Sequence, residues 1–354
     1  MKISKVTNRL VDMELTRPYT VAFTTFSSVA NHVVEIHTDT GLIGIGTGST
    51  APLVTGEDDL SAAAALDDAA ARLVGRPVDL DETGSRIQHD YPDAPAARAA
   101  LDIALHDVVA QAADLPVVDL LGRHHTSLPT SITIGIKDTA AEVLAEADEY
   151  LGRGFRSLKV KLGKSIDDDI ERLGQLRDHI GPDPTIRVDP NQGYTIDDLT
   201  RFFTETEPFG VEFVEQPLPD DRDEDLLELS DDNRRLIAAD ESLHSPADAH
   251  RLAGPPNLAG IFNIKLMKCG GIGPALGIAD VAAANGIDLM WGCMDESVVS
   301  ISAALHAAFA SPATRYLDLD GSLDLAHDVA IGGFALIDGM LSTLPQPGLG
   351  TQLH

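Results

Sequence analysis

The chain has 354 residues, a hydrophobic fraction of 44% and a formal net charge of −30. That length exceeds one small domain, and the apolar content supports a sizeable core. The charge sets aside nucleic acid and anionic membrane surfaces as partners, since both would be repelled, and leaves small molecules. So acidic a chain fits either an ordinary solvated surface or adaptation to high salt, which screens the repulsion. The two cysteines, Cys269 and Cys293, offer no disulfide framework, and residues 1–10 lack the apolar stretch of a secretory signal. A soluble protein in a reducing, cytoplasmic location is therefore expected. No apolar run is long enough to cross a bilayer, the Ala-rich stretch from Ser61 to Leu73 being interrupted by Asp67 and Asp68.

The first part of the chain reads as antiparallel strands followed by helices. Asn31 to Thr38 partly alternates apolar and polar residues, and Asp39-Thr40-Gly41 turns the chain into Leu42 to Gly48, a hairpin pattern. Gly44-Ile45-Gly46-Thr47-Gly48 superficially resembles a nucleotide loop. It lies in the returning strand of a hairpin, however, not between a parallel strand and a helix, so dinucleotide binding is set aside. Ala96 to Ala113 reads as a helix with Leu101, Leu105, Val108 and Val109 on one face, ending near Leu115-Pro116.

From Ser131 the rhythm changes. Strand-like runs recur at Ser131 to Ile136, Ser157 to Leu162, Thr185 to Asp189, Glu212 to Glu215, Leu236 to Asp240, Ile261 to Lys265, Asp288 to Trp291 and Arg315 to Leu319. Helix-like stretches separate most of them, the count and period of a parallel (β/α) barrel. The expected division is an α+β capping domain over 1–125, a barrel over 126–322, and a segment over 323–354 that returns to the capping domain.

Acidic residues stand where successive strands should stop: Asp189, Glu215 and Asp240. In a barrel these ends meet on one face, where three carboxylates repel one another unless a cation lies between them. Oxygen-only ligation favours a hard ion such as Mg²⁺; capping of the following helices is the alternative use of such acids. Lys159 and Lys161 end the second strand, and their spacing of two points both into the barrel mouth. Lys265 ends the sixth strand, across the barrel, so a substrate on the metal would have a lysine on either face. A neighbouring cation and partial desolvation are expected to lower a lysine towards the range useful for a base. Lys268 is assigned to a loop without a chemical role.

Lys159-Val160-Lys161, Asp189-Pro190-Asn191, Glu215-Gln216-Pro217, Asp240-Glu241-Ser242 and Asn263-Ile264-Lys265, in this order and spacing, resemble the muconate-lactonizing branch of the enolase superfamily. The helix Ala97 to Asp107, continuing to Leu120-Leu121-Gly122, is similar to the signature closing the capping domain of that family. The resemblance implies an enolase-type modified TIM barrel, Asp189, Glu215 and Asp240 as metal ligands, Lys161 and Lys265 as the two acid/base groups, and Lys159 as electrostatic support. Pairing lysine bases with Mg²⁺ is a general pattern of enolase-type sites.

The later segments narrow the likeness. Asn263 to Gly271, Gly292 to Ser297 and Asp318-Leu319-Asp320 resemble the dipeptide epimerases, in which the Asp-x-Asp pair holds the free α-ammonium. By the same resemblance Thr133, Met294 and Glu296 should line the substrate pocket, and Asn191 and Glu241 should orient water or lysine beside the metal. The Ala-Glu epimerases of the group carry an arginine at the position resembling Thr24. Here the loop has no arginine after Arg17, which argues against Ala-Glu, and Tyr19, Phe23 and Phe26 would suit an uncharged or apolar dipeptide.

The implied reaction is Mg²⁺-dependent epimerisation at the α-carbon of the C-terminal residue of a dipeptide. N-acylamino acid racemisation, or an o-succinylbenzoate synthase or muconate cycloisomerase activity, is the alternative on the same scaffold and should not need Asp318 and Asp320. Sugar-acid dehydration fits less well, since no histidine ends the seventh strand, and a barrel that only binds a peptide would not need opposed lysines. A homo-oligomer is the general expectation.

Overall fold

The computed structural model describes residues 1–20 and 25–354, and side chains other than those of residues 19–26. Thr24, Tyr19, Phe23 and Phe26, singled out above, therefore lie outside the described side chains. Strand Ile3–Thr20 pairs antiparallel with Thr25–Thr38, which pairs in turn with Ile43–Ser49. The expected hairpin turns at Gly41, whose φ of 90° suits glycine, and the Thr38 N–H donates to Leu42 O at 3.0 Å.

Helix Pro95–Ala112 lies across this sheet, and the glycine triplet lets it approach. A Cβ on Gly44, Gly46 or Gly48 would stand 2.0, 2.0 and 2.4 Å from the carbonyl oxygens of Ala104, Ala100 and Ala96. Two strand residues advance about 6.8 Å and four helix residues about 6.0 Å, so alternate glycines can follow every fourth alanine along the contact. The triplet is thus a packing surface. The helix start has no side-chain cap of its own; Glu57 supplies one from outside, accepting from the Ala96 and Ala97 N–H groups at 2.6 and 3.2 Å.

The same helix ties the capping sheet to the rest. Asp102 accepts from Ile272 N–H at 2.6 Å at the start of helix Ile272–Asn285, and Asp107 accepts from Ile45 N–H and Leu349 N–H, each at 2.8 Å.

Eight strands follow in sequential parallel order: Ile132–Ile134, Ser157–Lys161, Thr185–Asp189, Val211–Glu215, Ile237–Ala239, Ile261–Ile264, Asp288–Trp291 and Thr314–Leu317. The first and eighth close on each other through a parallel bridge between Thr130 and Leu317 and a 3.0 Å bond from Ser131 N–H to Leu317 O. Helices such as Ala140–Gly152, Ile166–Ile180 and Val298–Phe309 return the chain between strands. Each expected strand is present, some shorter than expected: the eighth stops at Leu317, leaving Asp318 and Asp320 beyond its end.

In the tail, Ala330–Gly332 pairs with Thr351–Leu353, and Phe334–Ile337 with Met340–Thr343, which also meets Leu128–Pro129. The Val117 N–H donates to Gly348 O at 2.9 Å and the Ala326 N–H to Glu14 O at 2.8 Å. Among the described residues no helix is long and apolar enough to cross a membrane.

Candidate active site

A parallel strand buried on both faces brings every second side chain to the barrel axis, and at its last residues to the mouth. The second strand delivers Lys159 and Lys161 in this way. In the ladder Lys161 stands opposite Asp189 of the third strand, and its Nζ lies 2.6 Å from Asp189 Oδ2. Lys159 Nζ, on the same side, reaches three carboxylates: Asp189 at 3.1 Å, Glu215 at 2.7 Å and Asp318 at 2.8 Å. Across the barrel Lys265 Nζ meets Asp240 Oδ2 at 2.7 Å. Lys159, Lys161, Lys265, Asp240, Glu241, Asn191, Thr133, Met294, Asp318 and Asp320 all line one cavity of about 380 Å³, in the range of small-ligand sites. Residues 49–54, at and after the end of the third strand of the antiparallel sheet, line it too.

The two aspartates past the eighth strand are differently placed. Asp318 is fully engaged: Oδ1 accepts from Ser131 Oγ at 2.6 Å and Oδ2 from Lys159 Nζ. Asp320 Oδ2 accepts only the Thr133 N–H, at 2.7 Å, and Oδ1 has a weak Cys293 Sγ contact at 3.9 Å. Of the pair, Asp320 is the carboxylate open to a new cation. Glu296 is not brought to the cavity; it is buried in its own loop, accepting the Met294 N–H at 2.8 Å, and so sets the position of Met294.

Lys268 departs from expectation. The chain does not enter a loop after Lys265 but makes one helical turn, Leu266–Cys269, which returns Lys268 towards the same side. Its buried Nζ donates to Asp240 Oδ1 at 2.5 Å, to the Asp240 carbonyl, and to Asn263 O at 3.3 Å. The spacing Lys265-x-x-Lys268 held this signal. Asn263, beside Lys265 in sequence, donates to Glu215 Oε1 at 2.8 Å.

The lysines also titrate in the opposite sense to that expected. Burial lowers Lys265, but Asp240 and then Glu215 outweigh it and raise the group well above its ordinary value. Lys159 is raised likewise against its burial by Asp318, Glu215 and Asp189. Among the acids, burial and then Asp189 push Glu215 up to about 8, and burial and then Asp240 push Glu241 up to about 7. Asp240 is held well below the carboxylate range: burial raises it, but Lys265 and Lys268 prevail.

Among the described residues no three Asp, Glu, His or Cys side chains group so as to hold a metal ion, because ammonium groups take up the carboxylate oxygens. The charge balance nevertheless fits a divalent cation. Counted in their ionised forms, Asp189, Glu215, Asp240, Glu241, Asp318 and Asp320 face the four ammonium groups of Lys159, Lys161, Lys265 and Lys268 with a formal excess of two negative charges, which protons on the raised acids offset while no cation is bound. Acceptors also remain open: Glu241 Oε2 and Asn191 Oδ1 are buried without a partner, and Glu215 Oε2 lies against Lys159 Nζ without a hydrogen bond. The donors are oxygen atoms, as a hard cation such as Mg²⁺ requires.

Residues 5–122 match the family model of the mandelate racemase / muconate lactonizing enzyme N-terminal domain, and residues 142–354 the enolase C-terminal domain-like model. The chain belongs to this family of the enolase superfamily. Among its relatives in the family, an L-Lys-D/L-Arg epimerase from Methylococcus capsulatus is 54% identical over 99% of both chains. A crystal structure of a dipeptide epimerase from that organism, complexed with Mg and the dipeptide L-Arg-D-Lys, matches with a TM-score of 0.98 at 54% identity and covers 100% of both chains. A substrate-liganded complex of the L-Ala-D/L-Glu epimerase from Bacillus subtilis matches with a TM-score of 0.95 at 32% identity over 99% of both.

Proposed function

We propose that this chain epimerises dipeptides at the α-carbon of the C-terminal residue, and that its substrates carry Lys or Arg side chains. The observation that carries this reading is the placement of Lys161 at the end of one strand and Lys265 just past the end of another across the barrel, both lining one carboxylate-rich cavity. The substrate side chains follow the similarity to the Lys/Arg epimerase and depart from the uncharged or apolar dipeptide that the aromatic residues of the capping loop suggested. The cofactor is Mg²⁺, with Asp189, Glu215 and Asp240 as the residues that would hold it. When bound, it supplies positive charge beside the substrate's terminal carboxylate, which makes the α-proton easier to remove.

The chain's own groups do the rest. One of Lys161 and Lys265 takes the α-proton from one face, and the other returns a proton to the opposite face, so the centre inverts. Lys159, kept charged by three carboxylates, adds electrostatic support at the terminal carboxylate. Asp320 receives the α-ammonium, and Asp318 holds Lys159 and Ser131 behind it. Thr133 and Met294 shape the cavity, and Glu296 holds the Met294 loop. Asn191, whose Nδ2 is 3.5 Å from Glu241 Oε1, orients groups beside the metal together with Glu241.

The division at 1–125, 126–322 and 323–354, a cytoplasmic setting consistent with the unpaired Cys269 and Cys293, and homo-oligomeric assembly belong to the same proposal. Incubation in D₂O with mixed dipeptides and mixed N-acyl amino acids tests the activity. Exchange of the C-terminal α-proton should appear in free dipeptides containing Lys or Arg; exchange confined to N-acyl amino acids would replace this reading with racemisation.

A further inference from the structure

The reaction uses the carboxylates at the strand ends, but the cavity has two more. Asp295 follows Met294 in the loop after the seventh strand, and Asp324 lies four residues beyond Asp320; both line the cavity. Asp295 is enclosed on nearly every side and keeps a face open to the cavity, and Asp324 is half-buried. Among the described residues neither side chain has an ion pair or hydrogen bond. The cations near them are committed elsewhere. Arg17 is bonded to Glu149 at 2.8 Å and Glu146 at 3.4 Å, Lys161 to Asp189 at 2.6 Å and Lys265 to Asp240 at 2.7 Å. Residues 19–26, whose side chains lie outside those described, contain no Lys, Arg or His. A half-open carboxylate pair that the fold leaves without a counter-ion is costly unless a ligand supplies one.

We propose that Asp295 and Asp324 select the substrate by pairing with a cationic side chain on the N-terminal residue of the dipeptide. The assignment to the N-terminal residue follows from position. Asp324 lies four residues beyond Asp320, the carboxylate read as the α-ammonium acceptor, and the segment that leads to Asp295 packs against Asp320 itself: the Gly321 N–H donates to Cys293 Sγ at 3.3 Å, and Cys293 Sγ lies 3.9 Å from Asp320 Oδ1, so the pair lies at the ammonium end of the cavity. Burial first, and then Asp324, push Asp295 up to about 6, with Lys161 and Lys265, each paired to another carboxylate, opposing them only in part. The inference rests on the reading of the protein as a dipeptide epimerase and deepens it to named specificity residues.

The test compares L-Lys-L-Ala with L-Met-L-Ala, which have N-terminal side chains of similar length and differ in charge, and with L-Ala-L-Lys, where the charge is moved. With Mg²⁺ present, exchange in D₂O gives kcat/KM for each. The unmodified enzyme should favour L-Lys-L-Ala over L-Met-L-Ala. Asp295→Asn and Asp324→Asn should each lower that ratio by about tenfold, chiefly through KM, as loss of a charge-assisted contact partly open to solvent implies. Thermal unfolding of both variants separates this effect from misfolding, and either variant alone suffices if the other does not fold. A ratio that moves by less than about threefold overturns the proposal, as does a loss falling on L-Ala-L-Lys instead. If the unmodified enzyme exchanges no dipeptide at all, the epimerase reading beneath it fails as well, a result distinct from exchange with an unaltered ratio.

Discussion

Replacing Asp320 by asparagine removes a charge while keeping its shape, and the amide oxygen can still accept the Thr133 N–H that lies 2.7 Å from Oδ2. Asp318 cannot take over, because Ser131 Oγ and Lys159 Nζ already hold its two oxygens at 2.6 and 2.8 Å. A hydrogen bond between charged partners contributes about 1.5 to 3 kcal/mol, which is about 10- to 150-fold in kcat/KM. A free dipeptide should lose that factor, whereas its N-acetyl counterpart has no ammonium and should lose much less. The ratio of the two, read by NMR from α-proton exchange in D₂O, cancels effects common to both substrates.

The pH dependence of that ratio carries a sign. Burial and then Asp318, with Asp324 adding to them and Lys159 opposing, push Asp320 up to about 7. Below that value it is protonated and cannot hold an ammonium, so the ratio should climb as pH rises through about 7. It should fall again above about 8, where a dipeptide's α-amino group loses its proton. In Asp320→Asn the rising limb should vanish. Equal losses for free and acetylated substrates, or an unchanged rising limb in the variant, would refute the assignment and return Asp320 to a structural role.

Chelation with EDTA should abolish exchange and added Mg²⁺ should restore it; full turnover in metal-free buffer would end the proposal for Asp189, Glu215 and Asp240. Lys161→Ala and Lys265→Ala should each lose epimerisation, and the epimer that still exchanges its α-proton should differ between them. Parental epimerisation by either variant would mean that one group serves both faces. Lys268→Met should cost about 3 to 5 kcal/mol of stability in metal-free protein, because it leaves Asp240 Oδ1 without its buried partner. Mg²⁺ should then raise the unfolding temperature of Lys268→Met more than that of the parent, and identical shifts would show that Lys268 does not counter Asp240.

The barrel was legible because its buried parallel strands are short, largely apolar runs at a regular period, several of them ending on or just before a charged residue; Thr185–Asp189 and Asp288–Trp291 were delimited from sequence alone. The opposed lysines were legible for the same reason, since an ammonium group ending an apolar run must face something polar. What sequence spacing could not carry was the partner of each charge. Asp318 and Asp320 look equivalent in sequence, and only the approach of Ser131, just before the first strand, and Lys159, on the second, separates them. The glycine triplet could be denied a phosphate, but its use emerged only when the helix Pro95–Ala112 lay across it. Asp295 and Asp324 went unnoticed because nothing local distinguishes a cavity-facing aspartate in a chain with 56 acidic residues.

The charge balance explains why the lysines behave as they do. Six carboxylates meet at one barrel mouth, on strand ends or just beyond them, and burial of all but Asp320 limits their screening by solvent. Protons and ammonium groups must then share the work of neutralisation: Glu215 and Glu241 are pushed up to about 8 and about 7, while Asp240, served by two lysines, stays ionised. The raised value of Lys265 follows from that duty and does not contradict its use as a base. The proposed reaction has no use for Lys268 at the α-carbon, yet its ammonium shares with Lys265 the charge of Asp240. A carboxylate with two lysines can remain charged when one of them gives up its proton, and this is the condition that the proton transfer proposed for Lys265 imposes on Asp240.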